Sequence, residues 1–195
     1  LPAAAGDNLA FAAATQFLRL VRRQGMEPGR LAITLKKNLP IGSGLGSSAS
    51  SAVATLVALN THCGDPLTSA ELLGLAGYAE SLASGAEHYD NVAPALCGGV
   101  CLLGSPFDPY GRAADAAPSP ELERQVPWRS APRCLVQLPW PEELVLVFVT
   151  PDYRINTRDA RAALPKQVPL GASAEASRRL ALFVAALYHR DLDLL

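Results

Sequence analysis

Residues Pro40–Ser50, PIGSGLGSSAS, hold three glycines and four serines in eleven positions. Before them stands RLAITLKKNLP (30–40), whose alternating, β-branched character predicts a strand. After them stands SASSAVATLVALNTHCG (48–64), a run of small and aliphatic residues that predicts a helix closed by Gly64. Its small side chains suit close packing against a sheet. Glycine lets the backbone take positive φ and lets a ligand approach. Free N–H groups at a helix N-terminus, together with the macrodipole, favour an anion, most often phosphate. Hydroxyls from Ser47 and Ser48 add donors or reach a phosphate-bound Mg2+. The stretch reads as a loop that cradles phosphates; a glycine-serine turn with no ligand is the plain alternative.

Spacing excludes three better-known loops. A Walker A loop needs a Lys directly after its last glycine, and Ser47 stands there. A dinucleotide fingerprint needs G-x-G-x-x-G, whereas Gly42, Gly44 and Gly46 are evenly spaced. A hydrolase elbow needs G-x-S-x-G, and neither Ser47 nor Ser48 is so framed.

The 195 residues as a whole are 49% hydrophobic and 18% charged, enough to bury a core. A net charge of −1 gives no sign of a nucleic-acid partner, and no apolar run reaches membrane-span length. The N-terminus has no signal-peptide pattern, and both ends look cut from a longer protein. Cys63, Cys97, Cys101 and Cys134 lack zinc-ligand spacing and read as reduced, structural thiols. Asp7 or Asn8 caps a helix through LAFAAATQFLRLVRRQG that ends at Gly25. Thr68 or Ser69, with Glu71, opens another through TSAELLGLAGYAESLAS. A polar loop, a short helix and a strand after Gly98-Gly99 fill GAEHYDNVAPALCGGVCLLGS. Residues 106–141 read as a Pro/Ala-rich surface insertion, with RCLVQLPW a strand candidate inside it. ELVLVFVTP is expected as a buried strand, TRDARAALP as a short helix, and SAEASRRLALFVAALYHRDLDLL as a last amphipathic helix. Helices and strands mix without strict alternation, which predicts an α+β fold.

The glycine stretch resembles the second signature of the GHMP kinases, roughly P-x-x-x-G-L-G-S-S-A. It matches at Pro40, Gly44, Leu45, Gly46, Ser47, Ser48 and Ala49. The resemblance implies that the loop from Pro40 through Ile41, Gly42 and Ser43 to Ser50 wraps ATP phosphates. HYDNVAPALCGG (88–99) is similar to the H-x-D-N-x-A-P-x-x-x-G-G segment of homoserine kinases, and NTRDARAALP to their T-x-x-A-R-x-x-L-P segment. It implies an ATP-dependent kinase acting on the L-homoserine hydroxyl, on the route to threonine. Mg2+ would be held by Ser48 and Glu80. Substrate would be bound by His88, Asp90, Asn91, Thr157 and Arg161, with Asp90 and Arg161 as the catalytic pair. Arg161 suits a bidentate carboxylate contact. Asp90 either accepts the hydroxyl proton or orients it, and Asn91 either binds substrate or fixes the turn before Ala93-Pro94. Read as isolated residues, Glu80 would be a solvated helix carboxylate, Arg161 a surface cation and His88 an idle loop histidine.

The implied fold is a ribosomal-S5-domain-2-like N-terminal domain (1–150) followed by the start of a ferredoxin-like C-terminal domain (151–195). The family's N-terminal P-x-x-x-N-x-G-x-G-x-D motif and its C-terminal glycine-serine loop are missing from this sequence. A cytoplasmic setting follows, or the plastid stroma in a plant or alga, with a homodimer as the family's common assembly. Three rival readings of function stand beside this. Another GHMP kinase would phosphorylate mevalonate or a sugar, and a degenerate fragment would bind nucleotide without turnover. An acyl hydrolase would need a base in register with Ser47 or Ser48; Lys36 and Lys37 are the nearest candidates, with no supporting motif.

Overall fold

The computed structural model describes residues 8–39, 44–84, 88–104, 134–149 and 163–195. Its elements are α1 (Leu9–Arg23), α2 (Ser47–His62), α3 (Ser69–Ser84), α4 (Val92–Cys97), β1 (Val100–Gly104), β2 (Cys134–Leu138) and α5 (Leu170–His189). The mixture of helices with a small antiparallel sheet is an α+β fold.

Helix starts follow the capping chemistry. Asn8 Oδ1 accepts from the Ala10 and Phe11 N–H groups at 3.1 and 3.4 Å, which satisfies two orphan donors of α1. Thr68 and Glu71 close a reciprocal box at the start of α3. The Thr68 N–H donates to Glu71 Oε2 at 2.8 Å, and the Glu71 N–H donates to Thr68 Oγ1 at 3.3 Å. Between α2 and α3, buried Asn60 clamps the turn: its Oδ1 accepts from the Leu67 N–H at 2.9 Å and its Nδ2 donates to the Leu67 carbonyl at 3.0 Å.

The core is helical. α1 lies against α2 and α3, which touch each other, and α4 bridges α2 and α3. Phe17, Val21, Leu56, Leu75 and Val92 are fully buried, and Ala13, Ala52, Ala76 and Ala79 line the same cluster. Alanines at helix contacts bring backbones close and leave little room for voids. The small residues of α2 thus serve helix–helix contact, a correction to the expectation of a sheet beneath it: its principal neighbours among the described elements are α1, α3 and α4.

β1 and β2 pair antiparallel, with Cys101 opposite Gln137 and Leu103 opposite Leu135. Cys101, Leu103 and Leu135 pack on the helical core. Leu138 is buried, and β2 touches α5. Gln137 Nε2 donates to the carbonyls of Cys97 at 2.7 Å and Gly98 at 3.2 Å, tying β2 to the end of α4.

Two strand expectations fail. Residues 30–39 form no strand, and Ile33 is exposed. Residues 144–149 also form no strand, and Val145, Val147 and Val149 are 83–87% exposed rather than buried. A β-prone run becomes a strand only where a neighbour supplies a hydrogen-bond ladder; no such neighbour lies alongside among the described residues. α5 starts earlier than expected and buries only Ala186 and Leu187. Most of the short helix expected at TRDARAALP, the domain boundary at Thr150, and most of the Pro/Ala-rich insertion fall outside the described residues; residues 163–165, the end of that helix, are not helical.

Candidate functional site

The end of the glycine loop and the first turn of α2 form one unit. Gly44 has φ +75° and Gly46 φ +65°, in the left-handed region that favours glycine. Gly46 is the N-cap of α2, with no side chain capping the helix. Among the described residues the leading N–H groups of α2 therefore have no side-chain cap, the condition in which a helix start binds an anion.

The serines divide into two kinds. Ser51 Oγ donates to the Ser47 carbonyl at 2.8 Å, and Ser50 Oγ to the same carbonyl at 3.2 Å. Those hydroxyls are turned back into the helix. Ser47 Oγ is buried and has no hydrogen-bond partner among the described residues, whereas Ser48 is exposed. Leaving a buried hydroxyl unmade is costly, so a donor or acceptor brought by a ligand is favoured there. Ala49 is buried in the core, and Leu45 is half-buried.

Beside this turn is a cavity of about 220 Å³ lined by Ser47, Ser50 and Ser51 on α2 and by Lys36, Lys37 and Asn38 on the preceding segment. Two lysines among the lining residues add positive charge to this side of the loop. Both lysines are expected on a strand and, in the hydrolase reading, as base candidates; their position directly before the glycine stretch is the signal that marks them.

The segment 88–91 comes to the same place. A Cβ on Gly46 would lie 3.1 Å from Asn91 Oδ1, so the glycine also makes room for Asn91. Asn91 is the N-cap of α4 and makes no side-chain cap bond. α4 is buried at Val92 and Ala93, which fixes the segment against α2 and α3. His88 is half-buried and Asp90 exposed. Glu80 lies on α3 and is half-buried; its Oε2 is buried without a hydrogen bond, though the residue interacts with its surroundings otherwise. Thus Gly44–Ser50, the 88–91 segment and the helix bearing Glu80 belong to one packed body. Pro40, Ile41, Gly42, Ser43, Thr157 and Arg161 lie outside the described residues.

The donor set fits Mg2+, a hard cation that takes a few oxygen ligands and keeps several waters. An exposed serine hydroxyl at a helix start and a half-buried carboxylate are oxygen donors of that kind. No helix among the described residues is long and apolar enough to cross a membrane. Cys63, Cys97 and Cys101 are free thiols.

Comparison with known proteins agrees with this geometry. Residues 8–99 match the family described as GHMP kinases N terminal domain, a range that holds both the glycine loop and the 88–99 segment. Residues 8–99 thus carry a GHMP kinase N-terminal domain. Among solved structures it is similar to the crystal structure of homoserine kinase from Cytophaga hutchinsonii ATCC 33406, with a TM-score of 0.73 and 32% identity. The match covers 100% of this chain and 53% of that one, so the chain spans about half the length of this relative.

Proposed function

We propose that the parent protein transfers the γ-phosphoryl group of ATP to the hydroxyl of L-homoserine, giving O-phospho-L-homoserine on the route to threonine. The observation that carries this reading is the meeting of Asn91 with Gly46. It brings the homoserine-kinase-like segment 88–91 against the uncapped start of α2. Likeness to a homoserine kinase over the whole of this chain supports the choice of acceptor.

Phosphoryl transfer is mostly positioning and charge stabilisation. In the proposed site the N–H groups from Gly46 to Ala49 hold the phosphates, with Lys36 and Lys37 adding positive potential. Ser48 and Glu80 hold Mg2+, whose charge offsets that of the phosphates when bound. His88, Asn91 and Thr157 orient the amino acid, and Arg161 takes its carboxylate in a two-pronged contact. Asp90 stands by the acceptor hydroxyl. As a base it would take the hydroxyl proton; as an orienting acceptor it would leave that proton to the phosphate. The fold carrying this is proposed as a ribosomal-S5-domain-2-like body to residue 150, then a ferredoxin-like one. A homodimer in the cytosol, or in the plastid stroma of a plant or alga, is the proposed setting.

The test is ADP release by the full-length protein from Mg·ATP, with L-homoserine, mevalonate, galactose and L-threonine offered separately. Turnover on homoserine alone is expected. Turnover only on another alcohol would overturn the acceptor, and ATP binding with no turnover on any of them would overturn the activity.

A further inference from the structure

Gly77 sits in the middle of α3 and is buried. A helix interior is a poor place for glycine, because alanine loses less backbone freedom there. The backbone gives no reason for it, since the φ of Gly77 is outside the left-handed range. Space does. A Cβ at this position would lie 2.2 Å from Cε1, 2.4 Å from Cζ and 2.7 Å from Oη of Tyr89. The Tyr89 ring is half-buried and packs on the helical core, so it rests on the bare backbone of α3 where any larger residue would hold it off.

We infer that Gly77 and Tyr89 form a seat that fixes the 88–91 segment on α3, making Tyr89 a positioning residue for the acceptor substrate. This rests on the phosphotransfer reading above. The segment is pinned twice, by Tyr89 on Gly77 and by Asn91 against Gly46. The intervening residue, exposed Asp90, is set by the two pins, and His88 flanks the first. Glu80 follows Gly77 by three residues, which places it on the same side of α3 one turn along. The seat therefore sets the spacing between the acceptor-side residues and the carboxylate of α3. Tyr89 itself need touch neither substrate.

The test uses the full-length protein with Gly77→Ala, Tyr89→Leu and the double variant. Gly77→Ala is expected to lower kcat/KM for the acceptor by on the order of 10- to 100-fold, through displacement of the reacting group. The Kd for Mg·ATP should stay within about twofold, a split that a general loss of structure would not give. Once Tyr89 is Leu, adding Gly77→Ala should cost nothing further, a non-additivity that marks direct contact. Amide hydrogen exchange over residues 88–92 reads the seat without turnover, and Gly77→Ala should speed it selectively. Unchanged exchange, equal damage to ATP binding and acceptor use, or additive effects in the double variant would each overturn the seat. A wild-type protein that phosphorylates no acceptor would sink the phosphotransfer reading and the positioning role with it. Selective exchange in Gly77→Ala would then show the packing alone.

Discussion

Residues 8–97 and residues 134–195 are built from similar side chains and use them differently. In the first region the apolar faces of α1 to α4 close on one another, and Phe17, Ala52, Leu75 and Val92 are completely buried. In the second, VLVFV (145–149) stands exposed along its length, and α5 buries two residues of twenty. An apolar run thus predicts what a segment can bury, and a facing element decides whether it does. The described part of the candidate site lies on the packed side: the α2 N-terminus, α3 and the 88–91 segment all belong to it.

Substitutions should separate the two regions sharply. Phe17→Ala removes a fully buried ring and is expected to cost about 3–5 kcal/mol in chemical denaturation. Val147→Ala, 83% exposed, should stay within about 0.5 kcal/mol. Equal losses at the two positions would break the contrast and show that 144–149 is covered in the whole protein.

Gly46→Ala probes the joint between fold and site. The new Cβ meets Asn91 Oδ1 at 3.1 Å and the residue must hold φ +65°, which costs about 1–2 kcal/mol for a non-glycine residue. Stability should fall by that order, and Mg·ATP affinity should fall with it in calorimetry. Loss of stability with affinity intact would separate the loop from nucleotide binding.

Thr68→Ala opens the capping box of α3, and about 1 kcal/mol should be lost in the same denaturation experiment. The smallest effect is chemical. Burial, and to a lesser degree the neighbouring Cys97, raise the pKa of the Cys101 thiol. Less of it is thiolate near neutral pH, so iodoacetamide should modify it more slowly than a free cysteine, and the rate should keep climbing above the pH at which free cysteine levels off. Labelling as fast as the free amino acid would mean that β1 is not held on the core.

Legibility in the sequence follows the same division. Helix boundaries were readable because their signals are local: Asn8, the Thr68–Glu71 box and Gly64 each act within one turn of the residues they serve. The glycine loop was readable because its backbone needs cannot be met by other residues. The strands at 30–39 and 144–149 were misread because pairing and cover come from elsewhere in space. The partner of α2 was misread for the same reason, since small residues suit a helix neighbour as well as a sheet. Within the site, the meeting of Asn91 with Gly46 and the seat of Tyr89 on Gly77 are contacts between distant segments, which no local pattern discloses. Lys36 and Lys37 were legible as neighbours of the loop serines, but only as base candidates of the hydrolase reading and not as lining of a cavity beside α2.

The central claim is that the 88–91 segment, held against the α2 N-terminus, presents Asp90 to an acceptor hydroxyl. The most direct measurement is kcat/KM for L-homoserine in full-length Asp90→Asn, with Mg·ATP affinity measured on the same protein. The account predicts a fall of roughly 10²- to 10⁴-fold if Asp90 takes the proton, and a smaller but clear fall if it only orients the hydroxyl, with ATP affinity preserved. Unchanged turnover on homoserine would contradict it.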